Sequence, residues 1–195
     1  AAPGRLIYRD LDGNGVIDDN DRCIIGDPNP DVSMGLNLGL QYKGFSLDMF
    51  FAGDFGFDIQ NHMKRQLYSM SYSNLSTNRG KDILNAWTPT NTGADIPALS
   101  LTDDNNEARF STYYVENGSF MKMKYLKLGY SLPAKAVKAI RATDVNVYFQ
   151  VENVFTITKY KGLDPELLPG EYGARIDNGA YPRPRTFTIG LNLQF

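Results

Sequence analysis

The chain has 195 residues, of which 42% are hydrophobic and 22% charged, a composition that argues against disorder. It contains no run of about 18 apolar residues, which excludes a membrane-spanning helix. The balance of 20 Lys and Arg against 22 Asp and Glu, without a basic stripe, makes nucleic acid an unexpected partner. A single Cys23 and a single His62 exclude an internal disulfide and a multi-histidine metal site.

The first predicted element is a loop, residues 1–33, which contains a calcium-type motif, DLDGNGVIDDND, at positions 10–21. Oxygen ligands are expected at alternating positions and at the last one, with a glycine at the sharp turn in the middle. The predicted ligands are Asp10, Asp12, Asn14, the backbone carbonyl of Val16, Asp18 and Asp21. Such oxygen donors favour a structural Ca²⁺, with Mg²⁺ as the alternative. The competing interpretation is an Asp/Asn/Gly turn that binds no ion.

Two strands with alternating apolar and polar residues follow, at 34–42 and 45–53. Only Lys43 and Gly44 separate them, which predicts a hairpin with a two-residue loop. In that register Leu38 pairs with Met49, and the other outward pairs are apolar as well. One face of the hairpin is therefore predicted to be apolar, and the other mostly small or polar.

Three more strands are predicted, at 120–130, 145–154 and 186–195. The first of them is irregular, because continuing its alternation places Lys122 and Lys124 on the apolar face. A β-bulge near Tyr125 could shift the phase, or this end of the strand could rise beyond the apolar zone. The sequence leaves both explanations open.

The alternation fits either a soluble β-sandwich or a transmembrane β-barrel. Outward-facing aromatic residues cluster at the two ends of the strands, with aliphatic residues between them, as in the aromatic girdles of outer-membrane barrels. Those at one end are Tyr42, Phe45, Tyr130 and Phe195, and those at the other are Phe51, Phe120, Phe155 and Phe187. This segregation favours the barrel.

The connections alternate in length, which also favours the barrel. Short connections at 43–44 and 131–144 fit periplasmic turns, whereas 1–33, 54–119 and 155–185 fit extracellular loops. The last strand carries Gly190, Leu193 and Phe195 in a pattern that resembles the C-terminal signal for outer-membrane assembly.

The fold class predicted is all-β, with residues 34–195 forming the C-terminal strands of a large antiparallel transmembrane β-barrel. Five strands are too few to close a barrel, which takes about eight or more in a single bacterial chain. The chain is therefore expected to be the last part of a longer polypeptide or to pair with another chain. The alternative is a secreted, calcium-stabilised, glycan-binding β-sandwich.

Five stretches of the sequence together resemble the SusC/RagA family of TonB-dependent outer-membrane transporters of Bacteroidota. They are DLDGNGVIDDNDRCIIGDPNP, MGLNLGLQYKGFSLDMFFAGDFG, YYVENGSFMKMKYLKLGYSLP, VNVYFQVENVFTITKYKGLDPE and YPRPRTFTIGLNLQF. The resemblance implies a barrel of about 22 strands in the lipid bilayer, plugged by an N-terminal domain. It also implies a SusD-like lipoprotein lid, energy from TonB, and import of oligosaccharides or peptides without chemistry on them.

Aromatic residues of the long 54–119 loop are candidates for stacking on a sugar or for contacting the lid protein. They are Tyr68, Tyr72, Trp87, Tyr113 and Tyr114. The competing interpretation is that these side chains pack the loop against itself. An enzyme is not expected, because no acid/base pair stands out and a Ser/His/Asp triad would depend on His62 alone.

Overall fold

The computed structural model describes residues 2–70, 78–103, 105–170 and 173–195. The chain divides into two compact units. The loop unit comprises Ala1–Pro28, Asp58–Glu116 and Leu167–Ala180, and the strand unit comprises Asn29–Phe57, Asn117–Glu166 and Tyr181–Phe195. In chain order the strands are β1 (Val32–Tyr42), β2 (Phe45–Phe55), β3 (Asp58–Asn61), β4 (Val115–Asn117), β5 (Phe120–Ser131), β6 (Asp144–Thr158), β7 (Ile176–Asp177) and β8 (Thr186–Gln194). The α-helices are α1 (His62–Tyr68) and α2 (Ala134–Ala139).

The strand unit is built on one antiparallel sheet of five strands, in the order β1-β2-β5-β6-β8. Four of the five predicted segments lie within these strands, and β1, β2, β5 and β6 extend beyond the predicted bounds, whereas β8 ends one residue before the predicted 195. The fold is thus mostly β. Among the described residues, no helix combines the length and the apolar character needed to cross a membrane.

The hairpin of β1 and β2 has the register that the alternation predicts. Leu38 lies opposite Met49, and Tyr42 lies opposite Phe45. The two loop residues both have positive φ, 46° at Lys43 and 88° at Gly44, as a type I′ turn requires. This turn follows the twist of the flanking strands, so it fixes the register from its first pair onward.

One face of the sheet carries large apolar side chains that are exposed. Leu40, Leu191 and Ile189 retain 62%, 57% and 80% of their accessible surface. A β-sandwich would bury this face under a second sheet. Such exposure of a contiguous apolar face is instead typical of a surface that meets lipid.

A bulge interrupts the alternation of β5. Leu126 pairs with Met49, but the next outward residue of β5 is Met123, opposite Phe51, so Lys124 has no partner on β2. The bulge explains the irregularity noted in the sequence, because it puts Lys122 on the polar face. It also turns Phe120 to that face.

The predicted position of Phe120 in the outward aromatic girdle is therefore wrong. Its side chain is only 4% exposed, and its ring packs edge-on against Phe57 with the centroids 6.3 Å apart. The cause is the extra residue in β5, since every side chain beyond a bulge changes face.

The end of β8 near the chain terminus is attached to the segment before β6. Thr143 donates two hydrogen bonds to the backbone carbonyl of Gln194, from its backbone N–H at 2.6 Å and from its hydroxyl at 3.0 Å. Beside this contact, Val137 of α2 packs with Ala142 and Val145 in a small buried cluster. The connection 131–144 is thus an ordered turn.

The loop unit contains short elements that the sequence did not predict. A three-stranded sheet has the order β4-β3-β7, with β3 and β7 parallel. Helix α1 follows β3 directly, and Asn61 caps it by accepting a hydrogen bond from the N–H of Lys64 at 2.8 Å. Ile59 of β3 is fully buried and belongs to the core of this unit. Elements of two to seven residues are too short to show a periodic pattern.

Candidate functional site

The acidic motif near the start of the chain brings three carboxylates together. One oxygen from each of Asp10, Asp12 and Asp21 lies within 4.8 Å of the other two. Three oxygens that converge at this spacing suit a hard divalent cation, because unpaired carboxylates repel each other without one. The donor set therefore fits Ca²⁺ or Mg²⁺ chemically.

Backbone N–H groups position the first of these carboxylates. Asp10 accepts hydrogen bonds from the N–H of Gly13 and from the N–H of Gly15, both at 2.7 Å. The two glycines have φ of 74° and 82°, a conformation that L side chains rarely adopt. These hydrogen bonds lower the pKa of Asp10, the one from Gly15 most strongly, so this carboxylate is ionised at neutral pH.

Asp21, the last residue of the motif, contacts the backbone near the start of the motif. Asp21 accepts hydrogen bonds from the N–H of Leu11 at 2.6 Å and from the N–H of Asp18 at 2.8 Å. The Asp18 carboxylate caps the short 3-10 helix Asp19–Asp21 by accepting from the N–H of Asn20 at 2.8 Å. It is not part of the three-carboxylate group.

The other predicted ligands stay predictions. Asn14 accepts a hydrogen bond from the N–H of Val16 at 2.7 Å, and its side-chain amide donates to Asp12 at 2.9 Å. Its side chain is thus hydrogen-bonded within the same loop. The carboxylates of Asp10, Asp12 and Asp21 form the part of the proposed ion site that the fold assembles.

Two of the candidate aromatic residues lie inside the loop unit. Tyr114 is 3% exposed, and its hydroxyl donates to the backbone carbonyl of Glu107 at 2.8 Å. The Tyr113 ring packs edge-on against it, and the Lys64 ammonium lies 3.8 Å from the centroid of the Tyr113 ring. Burial is the main reason that the pKa of both tyrosines is raised. These positions favour the packing interpretation.

The remaining candidates of this set are also engaged. The hydroxyl of Tyr68 donates to a carboxylate oxygen of Asp82 at 2.7 Å, and this bond, with burial, raises the Tyr68 pKa to about 12. The indole of Trp87 lies directly against the backbone of Gly4. Tyr72 lies outside the described residues.

The residues of the predicted assembly signal lie on β8 and just after it. Phe195 and Leu193 are 81% and 47% exposed. Gly190 has a packing reason to be glycine, since the ring of Tyr148 occupies the place where a side chain would begin.

A cluster of four charges was not predicted. It consists of Lys122 and Lys124 of β5 with Asp164 and Glu166 of the segment after β6, and is called the bulge cluster below. The Lys122 ammonium lies 2.9 Å from oxygens of both Asp164 and Glu166, and Lys124 also bonds to Glu166. The signal in the sequence was the pair of lysines that broke the alternation.

Comparison with known proteins finds relatives of similar sequence, although not through a family model. No protein-family model matches the chain. Over 200 residues it is 38% identical to the TonB-dependent receptor P3 of Formosa agariphila, covering 99% of this chain and 19% of the relative. It is also 35% identical over 194 residues to the TonB-dependent receptor SusC of Bacteroides thetaiotaomicron, covering 99% of this chain and 18% of the relative.

Solved structures agree with these matches. The RagAB peptide transporter superposes with a TM-score of 0.68 at 33% identity, over 83% of this chain and 17% of that chain. The RagAB peptide importer in its closed-closed state gives a TM-score of 0.73 at 30% identity, over 93% of this chain and 20% of that chain.

Over nearly its whole length the chain is thus similar to part of the TonB-dependent receptors. Within that class it is a SusC/RagA-like C-terminal portion, and it spans about a fifth of the length of the curated relatives it matches. SusC and RagA are outer-membrane proteins, so the bacterial outer membrane is the location of this chain.

Proposed function

We propose that this chain forms the C-terminal wall strands of a TonB-dependent importer that takes up oligosaccharides or peptides through the outer membrane. The observation that carries the proposal is the exposed apolar face of the five-stranded sheet, together with a polar opposite face. Each square ångström of apolar surface left in water costs roughly 25 cal/mol. Contact with hydrocarbon tails removes that cost, while the polar face lines a water-filled or protein-filled lumen.

The sheet supplies one part of a closed barrel. Within the described residues, β1 and β8 are edge strands with one partner each. Unpaired backbone groups cost several kcal/mol each in hydrocarbon, so both edges pair with further strands of the receptor. A complete barrel of about 22 strands with an internal plug accounts for the length of the relatives beyond this chain.

The proposed partners follow from the same assignment. A SusD-like lipoprotein lies over the extracellular mouth, and TonB acts on a part of the receptor outside this chain. The similarity to a peptide importer and to SusC supports import without chemistry on the substrate. The chain is accordingly assigned no enzymatic role.

The acidic motif is proposed to bind a structural Ca²⁺, with Mg²⁺ as the alternative. Asp10, Asp12 and Asp21 would supply carboxylate oxygens, and Asn14, Val16 and Asp18 would complete the shell directly or through water. The ion would neutralise three converging charges and stiffen residues 1–33 on the extracellular side. The convergence of the three carboxylates supports this proposal.

Uptake assays that compare cells with and without the receptor test the import function. Fluorescent oligosaccharides and fluorescent peptides are offered separately to wild-type and deletion strains, and a strain without TonB is the control. One class should accumulate only in cells that have both the receptor and TonB. Equal uptake of both classes in all three strains would contradict the proposal, as would recovery of the receptor in the water-soluble fraction.

A further inference from the structure

The bulge cluster lies where β5 departs from regular alternation. Between the rungs of Leu126 and Met123, β5 contains one residue more than β2, and this residue is Lys124. The extra residue turns Lys122 to the polar face of the sheet, and Lys124 reaches Glu166. Without the bulge, both ammonium groups would lie on the apolar face, where a charge is strongly unfavourable.

Lys122 is the buried centre of the cluster. Its side chain is 3% exposed, and its ammonium contacts carboxylate oxygens of Asp164 at 2.9 Å and of Glu166 at 2.9 Å. Glu166 bonds to Lys124 with its other oxygen. The cluster therefore has two positive and two negative groups, and an ammonium this deeply buried needs those partners.

Other contacts hold the segment 159–166 at its first residues, and Pro165, between the two acids of the bulge cluster, is buried. The hydroxyl of Thr158 donates to the carbonyl of Ser119 at 2.9 Å, and Tyr160 is buried with its ring against Gly162. From there the chain runs through exposed Lys161 and Leu163 to Asp164. Asp164 also accepts a hydrogen bond from the N–H of Glu166 at 3.0 Å, so the two acids are presented together in one turn.

We propose that the bulge cluster holds the segment 159–166 in a fixed position against the polar face of the five-stranded sheet. The inference goes beyond import, because it concerns how a connection between two strands is held, whatever the substrate. It assigns a purpose to the bulge: the extra residue in β5 places two lysines within reach of one acidic turn.

The contacts of the two lysines predict which of them contributes more to holding the segment 159–166. Lys122 bonds to both acids, whereas Lys124 bonds to Glu166 alone. Replacing Lys122 with methionine therefore leaves Asp164 without its lysine partner, while replacing Lys124 leaves the Lys122 contacts in place. Release of the segment should be larger for Lys122→Met than for Lys124→Met.

Limited trypsin digestion of the detergent-purified receptor measures this release, because Lys159 and Lys161 are exposed cleavage sites within the segment. We expect Lys122→Met to speed cleavage there by about tenfold or more, since fast local opening exposes the backbone to the protease. Lys124→Met should give a smaller increase. The matched control is Lys127→Met, on the same strand, where the ammonium lies over the Tyr148 ring instead of in the cluster.

Mass spectrometry of the fragments identifies the cut, and heat-modifiable migration on gels shows that each variant is folded. If Lys122→Met does not fold, Glu166→Gln serves as the second variant, since it removes a partner of both lysines without changing a strand. Cleavage at Lys159 and Lys161 that stays at the wild-type rate in a folded variant would overturn the inference. The assay requires no import, so its failure is distinguishable from failure of the proposed function.

Discussion

The acidic motif depends on individual oxygen atoms, so single substitutions test it. Asp12→Ala removes one of three converging carboxylates, and chelation with EDTA removes the proposed ion, whether Ca²⁺ or Mg²⁺. We expect either change to increase hydrogen exchange of residues 8–24 without affecting the strands. Asp19→Ala is the matched control, because its carboxylate pairs with Arg22 on the outside of the loop.

Equal exchange in chelator and in excess Ca²⁺ would contradict a bound ion. Excess Mg²⁺ distinguishes the two candidate metals, since Ca²⁺ tolerates irregular geometry and Mg²⁺ demands an octahedron. Protection restored by Ca²⁺ alone would identify calcium.

Glu166 gives the bulge cluster a dependence on pH. Partial burial tends to raise its pKa, but hydrogen bonds and charge from Lys124 and Lys122 outweigh burial, and the net pKa is lowered. Because the folded pKa lies below the unfolded value of about 4.3, the contribution to stability is complete above that pH and is lost as the pH falls through the folded pKa.

Hydrogen exchange of residues 159–166, corrected for its intrinsic pH dependence, measures this effect. The segment should be equally protected at pH 6 and pH 7 and should lose protection below about pH 4. The groups around Glu166 in the cluster are Lys122 and Lys124 of β5 and Asp164 of its own segment. Protection that is unchanged down to pH 3 would contradict this prediction.

At the scale of an element, the β1–β2 hairpin depends on its turn. Gly44 has φ of 88°, and a Cβ there would lie 2.9 Å from the carbonyl oxygen of Ser131. Gly44→Ala should therefore lower the yield of folded receptor in the outer membrane, measured by heat-modifiable migration. Gly39→Ala is the control, because a Cβ on that strand glycine meets only an Asp48 oxygen at 3.4 Å. Equal yields from both variants would count against the turn as the determinant of register.

The packing of Tyr114 sets the expected role of the loop aromatics. Tyr114→Ala removes a buried ring and its hydrogen bond to Glu107, a loss of about 3–5 kcal/mol for comparable buried aromatics. We expect faster hydrogen exchange around 105–116, whereas Tyr181→Ala, at a side chain that is 90% exposed, should leave exchange unchanged. A variant that loses substrate uptake with normal exchange would instead favour a direct binding role for Tyr114.

The elements differ in how far the sequence predicts them. Hairpin register follows from local facts: a two-residue loop and a strict alternation on both sides of it. The bulge at Lys124 could be suspected but not decided, because one irregular strand has two explanations. The pairing of Lys122 with Asp164 depends on where a distant turn returns to the sheet, and no local pattern contains that information. Tyr113 and Tyr114 likewise reveal their burial only through the tertiary fold.

For the molecule as a whole, the two faces of the sheet should meet different surroundings. In a receptor whose Cys23 is replaced by serine, single cysteines at Leu38 and Leu191 should react with membrane-soluble maleimides and resist charged ones. Cysteines at Gly39 and Asn192, on the opposite phase, should not share that preference. Rapid reaction of the Leu38 and Leu191 positions with charged reagent in intact membranes would contradict contact with lipid.

The bulge has a consequence for evolution of this wall. Two successive outward-facing rows of paired residues cross the three strands at Met49, Leu126 and Val151 and at Phe51, Met123 and Phe155. The two rows are two residues apart along β2, three along β5 and four along β6. Between the same two paired positions, β2, β5 and β6 thus contain progressively more residues, and these extra residues increase the local twist of the sheet. Loss of the single codon for Lys124 would leave a regular alternation in β5, because Met123 would follow Tyr125 directly and every residue from Met123 back to Phe120 would keep its present face. Such a deletion should consequently preserve the two faces of the sheet and remove only the local bulge and the contact of Lys124 with Glu166.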